Sequence, residues 1–276
     1  MEERKIKERD FHNKIRVVTD DSGVAETRWS EELESTIKNN PLWVNMKYYS
    51  IERESRDFVL DFFRKHTKDK VVLDYCAGNG EDGVLIASGY ASKVYGIDIS
   101  DVSISNCRTL AEKKGVSAKT EYKVGDAENT GYDNDTFDVI TEYGALHHLD
   151  QDSAFRELAR ILKKDGKVIC NEALAHNLLI HAYRKLTPHL RTDWEVEHIM
   201  KKKDILKALN YFNDVEIHLF HLSTLLSVPF RNTFIFRPML SMLEKLDKLL
   251  LKIPVLKWQA WQAVFILSNP KKETSV

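Results

Sequence analysis

Apolar residues recur along this chain with two alternating periods. Between Ser50 and Lys65, Ile51, Phe58, Val59, Phe62 and Phe63 return at helical spacing and predict an amphipathic helix. Then the period changes. Val71-Val72-Leu73 is a short apolar run that ends in a glycine-rich turn, and a helical stretch follows to Ser88. Lys93–Ile99 reads as the next strand and Ser103–Lys114 as the next helix. Lys119–Val124, Phe137–Glu142 and Lys167–Glu172 are further strands, with a helix over Ser153–Leu162 between the last two. Val215–His221 and Gln262–Ser268 read as the final strands. Residues 1–40 are charged and weakly patterned, with one short helix expected over Ser30–Asn39, capped by Ser30.

Strands that alternate with helices build βαβ units and a mostly parallel sheet covered on both faces. Right-handed crossovers put the strand C-terminal ends on one edge, where such sheets bind ligands. The residues just after each strand are therefore the candidates for function.

Composition narrows the classes. The 276 residues suffice for one large α/β domain with additions. With 41 Lys+Arg against 42 Asp+Glu, nothing global favours nucleic acid. Cys76, Cys107 and Cys170 are widely spaced and indicate neither a disulfide framework nor a zinc ribbon. The opening MEERKIKERD has no apolar core of a secretory signal, and the longest run without Asp, Glu, Lys or Arg, Ile217–Phe230, is too short to span a bilayer. A cytoplasmic protein is expected.

After the first strand comes Asp74-Tyr75-Cys76-Ala77-Gly78-Asn79-Gly80-Glu81-Asp82-Gly83. Gly78, Gly80 and Gly83 satisfy the dinucleotide pattern GxGxxG, which is weak alone. Asp74, Glu81 and Asp82 around it would repel a pyrophosphate and suit a ligand carrying positive charge; Glu81 and Asp82 could equally complement the helix dipole. Asp98 follows the second strand, 18 positions after Gly80, near the interval for a carboxylate that binds ribose hydroxyls; its other reading is a helix cap, which Ser100 or Asp101 could supply instead. Asp126 follows the third strand, where it could accept a hydrogen bond from an amino-purine. Glu142-Tyr143-Gly144-Ala145-Leu146-His147-His148 follows the fourth.

Together these segments resemble the class I S-adenosylmethionine-dependent methyltransferases of the small-molecule subgroup. VVLDYCAGNG resembles that family's first motif, VYGIDIS the second, VGDAEN the third and FDVITEYGALHHL the motif after the fourth strand; ILKKDGKVI resembles its approach to the fifth. The resemblance covers roughly residues 70–172. One departure is Cys76, where the family usually carries glycine. The resemblance implies an α/β, Rossmann-like, doubly wound, mostly parallel seven-stranded sheet with an antiparallel last strand. The chain's own pattern adds an expected N-terminal helical extension over 1–66 to a domain over 67–276, with a substrate-side insertion at 174–200 and, where the family's connection is often short, a helical cap at 222–261. The cofactor would be S-adenosyl-L-methionine, with S-adenosyl-L-homocysteine as product. Carried over residue by residue, Asp74 orients the loop and helps hold the methionine amino group. Ala77, Gly78 and Gly80 approach the cofactor by backbone, and Asp98 takes the ribose hydroxyls. Ile99 packs on adenine, Asp126 and the Ala127 amide meet its edge, Glu142 lies near the methionine moiety, and Tyr49 folds over the cofactor.

Methyl transfer from a sulfonium needs mainly in-line alignment, which proximity supplies. A hydroxyl nucleophile would also use a general base, for which His147 is the first candidate and His148 the second; both could instead only shape the pocket. Among His176, His181, His189, His198, Asp193, Glu195 and Glu197 no HxxxH or HxH spacing occurs, and no metal is expected. Arg184 and Arg191 could hold an anionic group or be solvated helix charges. In Leu222–Trp261, Met239, Met242, Leu243, Leu246, Leu249, Leu250 and Ile253 form a helical stripe beside Lys245, Lys248, Lys252 and Lys257. Such a helix packs as a lid or homodimer contact, or lies peripherally on an anionic membrane and covers a lipid-like substrate. The expected function is methyl transfer to a small or lipid-like acceptor, with no nucleic acid partner. A nicotinamide-dependent oxidoreductase and a non-catalytic methyltransferase-like binding module remain as alternatives.

Overall fold

The computed structural model describes residues 2–16, 41–187, 190 and 192–272. The helix expected over Ser30–Asn39, and the residues His189 and Arg191, lie outside them. A seven-stranded sheet runs in the order β3-β2-β1-β4-β5-β7-β6. Its strands are β1 (Val71–Tyr75), β2 (Lys93–Asp98), β3 (Thr120–Val124), β4 (Phe137–Tyr143), β5 (Leu162–Ala173), β6 (Phe212–Phe220) and β7 (Gln262–Pro270). Strands β1 to β5 pair in parallel, and β7 inserts antiparallel between β5 and β6. This is the doubly wound arrangement with an antiparallel last strand.

The helices are α1 (Glu3–Arg16), α2 (Arg53–His66), α3 (Glu81–Gly89), α4 (Asp101–Lys113), α5 (Gln151–Ile161), α6 (Leu178–Leu186), α7 (Asp193–His198), α8 (Lys202–Leu206) and α9 (Phe236–Leu250). One face of the sheet is buried by a cluster that includes Leu73, Ile140, Phe155, Leu158 and Phe265. The other is covered by α2, α3 and α4 through Phe62, Phe63, Ile86, Ile104 and Leu110. Burying a large apolar side chain contributes roughly 1.5–3 kcal/mol, so these two layers hold the sheet's edge rigid. A third cluster joins Ile51, Ile180, Leu225, Val228, Phe236, Leu240 and Trp261, with Tyr48 and Tyr49 packed on it.

Two expectations change. Residues 1–40 read as weakly patterned outside Ser30–Asn39, yet within them α1 forms over Glu3–Arg16 and packs on α4. The stripe of the 222–261 segment also divides: Leu243 is buried beside the off-stripe Leu240, Met239 and Leu250 are half-buried, and Met242, Leu246, Leu249 and Ile253 are exposed. Among the described residues, no helix is long and apolar enough to cross a membrane.

Candidate active site

Register brings the ends of the first three strands level. Asp74 pairs with Gly96 on one side and Thr141 on the other, and Asp98 pairs with Val124. The loop after β1 turns through three left-handed residues, Cys76 (φ 57), Gly78 (φ 55) and Gly80 (φ 80). Glycine adopts this region freely; Cys76 does so at about 1–2 kcal/mol. At Gly80 a side chain would also meet Cys107, with a Cβ only 2.9 Å from its Sγ. Gly83 serves close packing, because its N–H donates to Asp74 Oδ2 at 3.0 Å and a Cβ there would lie 2.7 Å from that oxygen.

Asp74 thus ties the loop to α3 from beneath. Asp82 is buried and pairs with Arg56 at 2.8 Å. Neither residue, nor Glu81, is among the residues lining the cavity beyond the loop.

That cavity, about 70 Å³, lies between the ends of β1 to β4 and helix α1. Its floor includes Cys76, Asp98, Ile99, Asp126, Ala127, Tyr143, Gly144, Ala145 and His148. Asp98 Oδ2 accepts the Gly78 N–H and Oδ1 the Ser100 N–H, both at 2.9 Å. Burial pushes its carboxyl above the usual range. The helix cap is made by Ser100, whose Oγ accepts from Ser103 N at 2.9 Å. Asp98 is therefore released from that role and faces the cavity. Asp126 Oδ1 accepts from Glu128 N at 2.9 Å, and Oδ2 meets Lys5 Nζ at 2.7 Å.

The roof is the part the sequence did not announce. Arg4, Lys5, Glu8, His12 and Arg16 of α1 all line the cavity, on one face of the helix. Lys5 pairs with Asp126 and Glu128, and Arg4 with Glu128. Asn13 Oδ1 accepts from Ser100 Oγ, and its Nδ2 donates to Asp101. Arg16 Nε is buried without a hydrogen-bond partner beside Gly78.

Other expected residues fall outside the lining. Tyr49 packs on Tyr143 and Trp261, with ring centroids 6.1 and 6.2 Å away. Ala77 packs into the helix-side core and donates its N–H to Ile97 O. Glu142 is buried under the loop after β4, where its Oε1 accepts from the Ala145 and Leu146 N–H groups. Beside it stands Glu172, fully buried at the end of β5, which the motifs did not single out. Glu172 Oε1 accepts from Leu146 N at 2.6 Å and Oε2 lies 2.7 Å from His147 Nδ1. Burial, and then the Glu172 charge, push the Glu142 carboxyl well above its usual range. Glu142 Oε2 is buried without a hydrogen-bond partner. Burial opposes ionisation of both Glu172 and His147, but their mutual attraction outweighs it, lowering the carboxyl and raising the imidazole. Glu172 therefore fixes the His147 ring through Nδ1 and leaves Nε2 as the other nitrogen.

The fold and the strand-end carboxylates define a class of protein, the class I S-adenosylmethionine-dependent methyltransferases. A family model described as a methyltransferase domain matches residues 66–213, more than half of the chain, and the chain belongs to that family. It is 34% identical over 134 residues to the uncharacterized methyltransferase YcgJ of Bacillus subtilis, a match covering 48% of each protein. It is 33% identical over 104 residues to the ubiquinone/menaquinone biosynthesis C-methyltransferase of Idiomarina loihiensis, covering 37% of this chain and 41% of that one. The chain thus spans about half or less of the length of these relatives. Phosphoethanolamine N-methyltransferase 2 of Haemonchus contortus, solved with S-adenosyl-L-methionine, shares the fold with a TM-score of 0.58 at 17% identity. That likeness covers 90% of this chain and 61% of the other.

Proposed function

We propose that this protein transfers a methyl group from S-adenosyl-L-methionine to a small or lipid-like acceptor. The observation that carries the reading is a cavity whose floor presents Asp98 and Asp126 from adjacent strand ends, beside the loop that holds His147. In this reading Asp98 takes the ribose hydroxyls, and Ile99 and Ala127 flank the adenine. Asp126 accepts its amino group once Lys5 yields. Gly78 and Gly80 let the backbone approach, and the unpaired Nε of Arg16 suits the methionine carboxylate. When bound, the sulfonium supplies an already activated methyl group. The chain's own work is to align it and exclude water. His147, positioned by Glu172, is the candidate to take a proton from an acceptor hydroxyl, and His148 lines the cavity beside it.

The acceptor would enter beyond Tyr143, under the cap formed by 222–261, the segment 41–51 and the insertion at 174–200. A buried polar network frames that side: Tyr143 donates to Glu52 at 2.6 Å, and Gln262 bridges Glu52 and Ser55. The exposed Met242, Leu246, Leu249 and Ile253, flanked by Lys245, Lys248 and Lys252, support peripheral contact with an anionic membrane. A two-fold homodimer through this face would bring two rows of lysines together. The three cysteines are free, which suits a cytoplasmic setting.

Calorimetry with S-adenosylhomocysteine and, separately, NAD tests the cofactor. Binding of the first and not the second is expected; preference for NAD would establish the oxidoreductase reading instead. Methyl release from labelled cofactor onto quinol, phenol and amine panels, including lipid-like ones, then separates an enzyme from a binding module.

A further inference from the structure

Glu8 and His12 stand four residues apart on α1, so both side chains leave the same face of the helix. That face rests on the loop after β4, where His148 meets it. Glu8 Oε2 lies 2.9 Å from His148 Nδ1 and 3.8 Å from His12 Nε2. The two imidazoles meet edge-on with centroids 4.9 Å apart. One ligand-type atom from each residue falls within 4.8 Å of the other two.

Glu8 is only 5% exposed, and both Glu8 Oε2 and His148 Nδ1 are buried without a hydrogen-bond partner. At 2.9 Å the two atoms are close enough to share a proton or a cation. Two lone-pair atoms that face each other in a buried site call for a proton or a cation between them. A carboxylate and two imidazoles are a donor set for zinc or another divalent transition metal, with a position left for water or substrate.

We propose that Glu8, His12 and His148 bind one divalent transition-metal ion that joins helix α1 to the loop after β4. Supporting groups are in place. Thr192 Oγ1 donates to Glu8 Oε1 at 2.6 Å, which orients the carboxylate and leaves Oε2 turned to the imidazoles. The His147 ring lies tilted against His148 with centroids 4.2 Å apart, and His147, His148 and Glu195 form a second group of converging ligand atoms at the same place. The neighbouring cations Arg4 and Lys5 pair with Glu128 and Asp126, while Arg16 and His147 lie close enough to His12 to act on it as positive charges. The ion would sit in the cavity wall and hold its roof, α1, to the loop after β4. The site stands on these side chains alone and does not depend on the methyl-transfer reading.

The full chain, stripped with a chelator, is titrated with Co²⁺ while visible d–d absorption is followed, and with Zn²⁺ in a calorimeter. One saturable equivalent is expected. His12→Ala and the conservative Glu8→Gln should each weaken it at least about tenfold. His176→Ala, away from the cluster, should leave it unchanged. A melting curve and an S-adenosylhomocysteine isotherm on each variant show whether it folds, and Glu8→Gln keeps the test decisive if His12→Ala does not. No saturable binding, or a bound equivalent untouched by both ligand variants, overturns the proposal. Loss of S-adenosylhomocysteine binding with the metal equivalent intact would sink the methyltransferase reading and leave the metal site standing.

Discussion

Asp98→Asn is the perturbation that separates scaffold from ligand at the centre of the cavity. The carboxylate already serves the protein through both oxygens, taking Gly78 N–H and Ser100 N–H at 2.9 Å, and is only 8% exposed. An amide of the same size offers one acceptor. Its NH₂ must face one of the two backbone donors, and that buried N–H loses its partner, which costs about 1–3 kcal/mol. In a chain of this size each kcal/mol moves Tm by roughly 2–4 °C, so a fall of about 2–12 °C is expected. A ligand bond to a charged acceptor contributes about 1.5–3 kcal/mol, and its loss weakens S-adenosylhomocysteine binding by roughly 10- to 150-fold. Calorimetric melting gives the first quantity and an isotherm corrected for the folded fraction gives the second. A lowered Tm with unchanged affinity per folded molecule would refute the reasoning, because it would make Asp98 a loop anchor with no hand in the ribose.

Other outcomes follow from local geometry. Gly80→Ala should destabilise by more than Gly115→Ala: both glycines have positive φ, but only at Gly80 does a Cβ strike Cys107, while nothing lies within 4 Å at Gly115. Equal losses in urea melts would remove the steric argument and leave strain of about 1–2 kcal/mol at each. Burial lowers the His221 imidazole to about 3. The unfolded chain therefore takes up this proton below about 6.5 while the folded chain does not, and stability falls with pH from about 6.5 towards 3, by up to about 1.4 kcal/mol per unit. Urea melts at stepped pH should show a shallower fall in His221→Asn, and identical slopes would count against it. Leu246→Ser/Leu249→Ser should keep the melting temperature and abolish sedimentation with anionic vesicles, as should Lys245→Glu/Lys252→Glu. Absence of vesicle binding by the unaltered protein would return this face to lid or dimer packing.

The sequence by itself determined the sheet and the floor of the cavity. Strand cores such as Val71–Leu73 and Val139–Ile140 are apolar because both faces are covered, and each strand ends in a short loop whose glycines and carboxylates are sequence neighbours. Such features are local, so a motif can carry them. Even there the choice between a cap and a ligand role for Asp98 needed the structure, which gave the cap to Ser100. Glu172 could have been found as a carboxylate closing a buried strand, the same signal that marked Asp74, but only packing put it 2.7 Å from His147.

Helix α1 lay beyond the sequence for a physical reason. Its inward face is Lys5, Glu8, His12 and Arg16, polar side chains turned to a polar cavity, so a search for apolar periodicity passes over it. Its partners Asp126 and His148 lie more than a hundred residues away. The stripe on α9 shows the converse. Its apolar spacing predicted a helix, but which of its residues would be covered depended on where Ile51, Leu225 and Trp261 arrive from distant segments. Tertiary packing buried Leu240 and Leu243 and left Leu246 and Leu249 in water, because the covering cluster reaches only one side of the helix.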